Sequence, residues 1–536
     1  AAGSVLALVW AWRFLGMSVS GLTSGLGDVA NLVERMTPPT FNDLGRTVEL
    51  AVDTFFIALL GTSLAVALSV PVAFLAAANT TPHRAVHAAA RAVIVFCRAV
   101  PDLVFAAIFV RSIGIGLLAG ILALALHSIG MLGKLFADAI EQVDETQRDA
   151  VRATGAGRLQ ELATAVVPQV LPSFVGVALY RLDINVRVSV VLGFVGAGGI
   201  GFALQAALRS LNYPAGLGIV AVIVVLVIGV EVFSSAVRRS ILGDAAAGPG
   251  VLGRPRRRPV RVQHAPFDHY DPRPPWTRER RTKASFLLLY AALVAYAFVS
   301  IDISPLELAR GIPDMWRTAG LLLPPGLGGV PWFEMQTAML ESIAVGAVAT
   351  VIGLALGLPI GFLAARNVAP ARWVHVTARL GLVLWRSVPE LIIAVIFVAA
   401  IGLGPVGGTL ALGLASVGFV AKLVADAVEE VEREPREAVL ATGATRLQET
   451  ATAVVPAALP GIVGHALYML DVNLRSSTIL GIVGGGGIGF LLFNSLRVQR
   501  FEVTGAILLM IFVTVYAIER ISGWVRSLLL RPPGSS

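Results

Sequence analysis

The chain carries its own second copy. Residues Arg148–Gly201 recur as Arg436–Gly489 without a gap and with about two-thirds identity. The offset of 288 residues holds from Pro71/Pro359 through Glu231/Glu519, so a whole bundle is duplicated rather than one motif. Two fused, near-equivalent halves imply a central pseudo-twofold axis, and in a membrane protein such an axis usually encloses a substrate path.

The membrane follows from composition: 56% hydrophobic residues, 14% charged residues and a mean hydropathy of +0.79 lie far outside the range of soluble proteins. Apolar stretches near the ~20 residues that cross a bilayer recur along the chain. Six fall in the first half, near Ser4–Gly21, Val48–Ala78, Val86–Arg111, Ile113–Ile140, Val166–Leu192 and Ala215–Arg238. The second half repeats the last five at the same offset and adds Ala284–Ser300. The first stretch lacks the basic leader of a signal peptide and its counterpart is internal, so it is read as a helix. The expectation is an all-α polytopic membrane protein of about twelve spans: a first repeat over 1–240, a basic Pro-rich linker over 241–283 and a second repeat over 284–536.

Orientation follows from Lys and Arg, which stay on the cytoplasmic side during insertion. Arg254, Arg256, Arg257, Arg258, Arg261 and Arg273 crowd the linker, with Arg278, Arg280, Arg281 and Lys283 at its end. The linker and both termini are therefore expected in the cytoplasm, the halves are expected to be parallel rather than inverted repeats, and a multi-pass location in the plasma membrane is expected. A net charge of +8 invites a nucleic-acid reading, but the basic residues sit beside apolar spans with little aromatic interleaving, so membrane topology accounts for them and lipid is the expected surface partner. The single cysteine, Cys97, has Trp385 as its repeat mate and is expected to be a small buried residue.

The sharpest motif lies in a loop. Asp149-Ala150-Val151-Arg152-Ala153-Thr154-Gly155 is followed thirteen residues after the glycine by Pro168, and Glu437-Ala438-Val439-Leu440-Ala441-Thr442-Gly443 is followed at the same distance by Pro456. Both resemble the EAA loop of ABC-importer permeases, with Asp149 in place of Glu and Val151 and Val439 in place of the second Ala. The resemblance implies a short coupling helix, a glycine turn and a second helix docking on an ATPase subunit, hence two ATPase subunits per chain. Small Ala150 and Ala153 suit close approach, and Arg148, Arg152 and Arg158 are expected to offer rim contacts. No GxxxxGK[ST] loop is present, so ATP and Mg²⁺ are expected on the partner subunits, with no cofactor, metal or catalytic residue in this chain.

Four further segments narrow the resemblance. They are Arg98-Ala99-Val100-Pro101-Asp102-Leu103 with Arg386-Ser387-Val388-Pro389-Glu390-Leu391, Gly133–Asp138, Leu179–Arg187, and Leu192–Gly201. Together they are similar to the permease of phosphonate ABC importers over most of both halves. That implies uptake of phosphonate, phosphite or phosphate delivered by an extracytoplasmic binding protein.

Arg98 lies ~20 Å along its span, where a charge needs a partner or a wet cavity. Arg386 matches it, and a guanidinium fits an oxyanion in a bidentate fork. Asp102 and Glu390, four residues on, are the expected partners of these arginines, as a transient anion site or gate or as permanent braces. Lys134/Asp138 and Lys422/Asp426 share the i,i+4 spacing and are expected to brace the loop. His127, whose mate is Ala415, is expected to be a satisfied histidine. Tyr180, Asp183 and Arg187, with Tyr468, Asp471 and Arg475, fall on one face of the fifth span beside Asn185 and Asn473, as internal ion pairs or as a polar pathway lining. Arg181 has Met469 as its mate, so the two walls are electrostatically unequal.

Gly196, Gly198, Gly199 and Gly201, with Gly484, Gly486, Gly487 and Gly489, match GxGxxG literally but lack the strand and helix of a dinucleotide site. A re-entrant turn or gate is expected there. The segment Asp302–Trp332 is expected to be an extracytoplasmic loop without a counterpart, either an ordinary exposed loop or an asymmetric contact for the binding protein. The competing reading, an ion-coupled secondary transporter of a small anion, rests on Asp183 and Asp471 but leaves the twin loops unexplained. A membrane-embedded enzyme would need a nucleophile or metal constellation that the sequence lacks.

Overall fold

A computed structural model describes residues 2–242, 276–301 and 305–529, and all regular structure among them is helical. The linker arginines at 254–273 lie outside the described residues. The first repeat opens with α1 (Ala2–Phe14), α2 (Val19–Met36) and α3 (Leu44–Ala76). It continues with α4 (Arg84–Ala99), α5 (Asp102–Ile113), α6 (Leu117–Glu141), α7 (Glu145–Ala153) and α8 (Arg158–Glu161). It closes with α9 (Val167–Leu192), α10 (Ile200–Arg209) and α11 (Tyr213–Leu242).

The second repeat follows the same order. Its first helices are α12 (Arg278–Ser300), α13 (Pro305–Gly320), α14 (Trp332–Ala364), α15 (Arg372–Ser387) and α16 (Glu390–Ile401). Then come α17 (Pro405–Glu429), α18 (Arg433–Ala441), α19 (Arg446–Glu449), α20 (Val455–Leu480), α21 (Ile488–Arg497) and α22 (Phe501–Leu529). Arg278–Lys283, read from sequence as linker, form the first turns of α12.

Among the described residues nine helices are long and apolar enough to cross a membrane, or eleven when each of two bent pairs is counted as one span. The chain is thus an integral membrane protein with slightly fewer spans than the expected twelve. The shortfall sits at Ser4–Gly21: α1 has 13 residues, the chain turns at Gly16 with φ +66°, and α2 follows.

Each repeat closes around a seam of small residues, because helices in lipid associate by close packing rather than by escape from water. Gly353, Gly357 and Gly361 of α14 meet Ser416, Val420 and Val424 of α17, and a Cβ on any of the three would come within 2.8 Å of that neighbour. The first repeat uses Ala65, Ser69 and Ala73 of α3, all fully buried.

The two repeats exchange elements across the axis. Ala11 of α1 and Leu15 just beyond it bury against Ala344 and Val348 of α14, while Tyr290 Oη of α12 lies 2.6 Å from Ser63 Oγ of α3. Val104 of α5 joins the core of the second repeat with Leu474 and Leu492, and its mate Ile392 of α16 joins the core of the first. Gly25 of α2 packs on Ile401, and Gly311 of α13 packs on Ile113, the mate of Ile401. The segment Asp302–Trp332 therefore contains a helix with a structural counterpart in α2, and the expected asymmetry is absent there. Sequence comparison missed it because two amphipathic helices share a pattern without sharing residues. In α2 the buried Leu32 and Met36 stand four apart on one face, and the exposed Glu34 lies on the opposite face. This reciprocal contact is what a twofold axis requires of a self-complementary interface.

Candidate functional site

A proline inside a membrane span disturbs the helix, and Pro101 and Pro389 break theirs completely. Proline removes an amide donor and pushes the preceding residue out of the helical region. Val100 and Val388 are extended accordingly, and the axes turn by 87° between α4 and α5 and by 76° between α15 and α16. Gly130 and Gly418 make room for the break: a Cβ on Gly130 would lie 2.7 Å from Arg98 Cα, and one on Gly418 would lie 2.9 Å from Arg386 Cγ.

The bend corrects the expected pairing. Arg98 does not meet Asp102; it makes a two-pronged contact with the Glu519 carboxylate of α22, in the opposite repeat. Arg386 likewise approaches Glu231 of α11, at 4.0 Å, rather than Glu390. Asp102 instead accepts the Leu103 N–H at the start of α5 (2.9 Å), and Glu390 accepts the Ser476 hydroxyl (2.9 Å). The i,i+4 spacing misled because it assumes a continuous helix, and Pro101 and Pro389 interrupt it.

The fifth-span residues extend these contacts. Arg187 donates to Asp183 at 3.0 Å and lies 3.9 Å from Glu231, so a charge chain runs Asp183, Arg187, Glu231, Arg386 across the repeats. The twofold-related chain contains Asp471 with Arg475 (2.5 Å) and Glu519 with Arg98. Tyr180 is partly buried, and its mate Tyr468 is 44% exposed. Glu231 and Glu519 were not singled out from the sequence, although their shared offset marked them.

A second polar knot ties the spans of each repeat together. Asn185 Nδ2 donates to Thr62 Oγ1 (2.8 Å) and Ser128 Oγ (3.2 Å); Asn473 Nδ2 donates to Thr350 Oγ1 (3.0 Å), and Asn473 Oδ1 accepts from Ser416 Oγ (2.8 Å). The first repeat adds Arg181, whose Nε donates to Ser128 Oγ at 2.8 Å. His127 is held by the Val100 carbonyl (3.1 Å). Among the described residues neither Lys134–Asp138 nor Lys422–Asp426 closes to ion-pair distance, and Asp426 is taken by Arg379 at 3.5 Å.

The glycine motifs form turns at the far end of α9 and α20. Gly196, Gly198 and Gly199 have φ of +94°, +77° and +75°, and Gly484, Gly486 and Gly487 have +91°, +79° and +71°, a region that disfavours side chains. Gly201 and Gly489 permit close approach instead, since a Cβ there would overlap the carbonyl oxygens of Val190 and Thr478. The turns are pinned to the long helices: Thr54 Oγ1 accepts the Ile200 N–H (2.8 Å), Ser342 Oγ accepts the Ile488 N–H (2.9 Å), and Glu341 accepts the Gly487 N–H (3.1 Å).

At the other end lie the two loops. Asp144 caps α7, Gly155 turns with φ +80° and Gly443 with +84°, and π-helical turns at Leu162–Val166 and Thr450–Val454 lead to Pro168 and Pro456 at the start of α9 and α20. The loop arginines also bond within the chain: Arg148 is buried, while Arg152 and Arg158 stay exposed. Arg148, 2% exposed, donates to Glu161 (2.8 Å) and to the Asn79 carbonyl (3.0 Å), and Arg436 repeats this with Glu449 (2.7 Å) and Asn367 (2.9 Å). Arg158 reaches the Thr80 carbonyl. Arg152 also binds Glu161, which holds its guanidinium pKa above the ordinary value. The loops expose Asp149, Ala150 and Ala153, Glu437 and Ala438, and a strongly exposed leucine each, Leu159 (82%) and its mate Leu447 (83%); the second loop also exposes Leu440, the mate of Arg152.

The comparisons with known proteins agree with this duplicated plan. The family described as binding-protein-dependent transport system inner membrane component matches twice, at residues 69–241 and 357–529. The phosphate-import permease protein PhnE of Mycolicibacterium smegmatis is 50% identical over 98% of this chain and 93% of its own length. The phosphite transport system permease protein PtxC of Stutzerimonas stutzeri is 44% identical over 44% of this chain and 86% of its own length, the extent of one repeat. A solved chain of the inward-facing MetNI methionine ABC transporter aligns over 37% of this chain and 97% of its own, at 24% identity and a TM-score of 0.35. The chain is a fusion of two units of one family, and it belongs to the binding-protein-dependent transport system inner membrane components.

Proposed function

We propose that this chain is the translocating subunit of an ATP-driven importer of phosphate, phosphonate or phosphite. The observation that carries the reading is the pair of loops braced by equivalent Arg148–Glu161 and Arg436–Glu449 pairs, each presenting small residues and an equivalent strongly exposed leucine, in a chain whose relatives are named for phosphate and phosphite transport. The loops face the cytoplasm and each docks one ATPase subunit, which supplies ATP and Mg²⁺. The glycine turns face the binding protein.

The coupling follows from the bonds. Arg148 and Arg158 fix the first loop to the turn that follows α3, at Asn79 and Thr80, and Thr54 of that helix holds the glycine turn. These points are separated by about 33 Å of helix at 1.5 Å per residue. A displaced loop therefore carries α3 and the turn with it, and α14 does the same in the second repeat. Arg98, Arg386 and the Asp183/Arg187 and Asp471/Arg475 pairs line the path between, where cross-repeat ion pairs open and close as the cavity alternates.

The test is reconstitution with ATPase subunits and binding protein in liposomes. ATP-dependent uptake of phosphate, methylphosphonate or phosphite, with two ATPase subunits per chain by native mass, is expected. Uptake driven by an ion gradient without ATPase subunits overturns the proposal.

A further inference from the structure

Away from the ion-pair chains, a cavity of about 520 Å³ opens between the repeats beside the glycine turn of the first. Both repeats build it, the first through α5, the Gly193–Val195 turn and α10, the second mainly through α21 and the start of α22. Its floor is apolar and closed by Val104 (1% exposed), Leu492 (3%) and Phe194 (8%). Its mouth holds Arg111, Arg209 and Arg497, and no carboxylate lines it.

Three guanidinium groups on one small cavity without a carboxylate need an explanation. Among the described residues none of the three forms an ion pair. Each sits in the last turn of its helix, and a helix C-terminus offsets only about half a charge. Two are held in place by aromatic faces: Arg111 lies 4.8 Å from the centroid of Phe501, and Arg497 lies 5.7 Å from that of Phe493. A ring contact positions a guanidinium while leaving its N–H donors free. Arg209 and Arg497 are repeat mates, but Arg111 has Ala399 as its mate, so the cluster is asymmetric.

We propose that Arg111, Arg209 and Arg497 form an outer receiving site for a tetrahedral oxyanion, above the apolar seal of Val104, Leu492 and Phe194. The inference rests on the transport reading and places the first substrate contact in this chain. Guanidinium groups recognise phosphoryl oxygens by paired hydrogen bonds, and three of them neutralise a dianion without a proton or a metal. The apolar floor makes the site a dead end until the seal parts, so the anion waits at the mouth for the ATP-driven step. A lipid phosphate offers the same oxygens as a free anion, and the test must separate the two.

The experiment uses the chain assembled with its ATPase subunits in nanodiscs of phosphatidylcholine, without binding protein. Radiolabelled inorganic phosphate is titrated against the wild type, the variant Arg111→Gln/Arg209→Gln/Arg497→Gln, and the charge-retaining variant with Lys at all three positions. Retained ATPase subunits report that each variant is folded. The glutamine variant is expected to bind phosphate about tenfold more weakly or worse, and the lysine variant to recover part of the loss. Equal phosphate binding by the wild type and the glutamine variant overturns the site. So does loss of lipid phosphate, followed by ³¹P signals of co-purified lipid, with free phosphate binding unchanged. Weaker capture of ligand-free binding protein with phosphate binding unchanged also overturns it and makes the arginines a protein contact. If the wild type binds sulfate with the same arginine dependence but none of phosphate, methylphosphonate or phosphite, the substrate reading fails while the anion site stands.

Discussion

Arg98 shows how a residue's sequence neighbours can hide its partner. Its carboxylate is Glu519, 421 positions away and in the other repeat, while Asp102, four positions away, is turned aside at the Pro101 break. If the cross-repeat pair shapes the transport cycle, Arg98→Gln and Glu519→Gln should each slow ATP-dependent uptake, by about tenfold for an interaction of ~1.4 kcal/mol. The exchange Arg98→Glu/Glu519→Arg should recover more than either reversal alone. Uptake assays on the wild type, the two single reversals and the double exchange give the coupling, and additive losses would show that the two residues act independently. The charged residues of the fifth span were legible because Asp183–Arg187 and Asp471–Arg475 lie within one unbroken helix. Glu231 and Glu519 were not, because a repeat alignment identifies equivalent residues without saying whether a contact stays within its own repeat.

Among the elements, α3 and α14 connect the ends of the molecule. Thr54 and Ser342 cap the short helices that follow the glycine turns, and a lost cap of this kind costs about 1 kcal/mol. Thr54→Val with Ser342→Ala should therefore loosen the turns while leaving the loops braced at Asn79 and Asn367. ATP hydrolysis should continue with fewer substrate molecules imported per ATP, measured by parallel hydrolysis and uptake assays; an unchanged ratio would remove the turns from the coupling route. The seam between α14 and α17 sets stability instead. Gly357→Val places carbon where Val420 already stands and should destabilise by about 1–3 kcal/mol, read as a lower thermal midpoint in detergent. That seam was present in the sequence as Gly353, Gly357 and Gly361 at every fourth position, matched by Ala65, Ser69 and Ala73. The signal was periodic smallness rather than identity. The helices α2 and α13 were hidden for the same reason, since they correspond by amphipathic pattern and by their contacts on Ile401 and Ile113.

For the whole molecule, fusion of the repeats gives each loop its own address in one sequence, so the two docking sites of the proposed function can be altered separately. Leu159 and Leu447 occupy equivalent places on the loops, each more than four-fifths exposed. A single exposed leucine is unremarkable on any surface, but the same one retained in both loops, beside arginines turned inward to Glu161 and Glu449, is the apolar centre that the proposed docking patch needs. Truncating or charging such an anchor costs about 2 kcal/mol or more of binding. Leu159→Asp or Leu447→Asp alone should yield complexes holding one ATPase subunit, and the double variant should hold none, as read by native mass. If the two sites are energetically equal, the two single variants should lose affinity equally. Arg152 has Leu440 as its mate, so only the first loop carries a second arginine on its acidic brace, and the first site should tolerate its substitution better. A chain that keeps both ATPase subunits after both substitutions would move the docking surface off the leucines and onto the small residues Ala150 and Ala438.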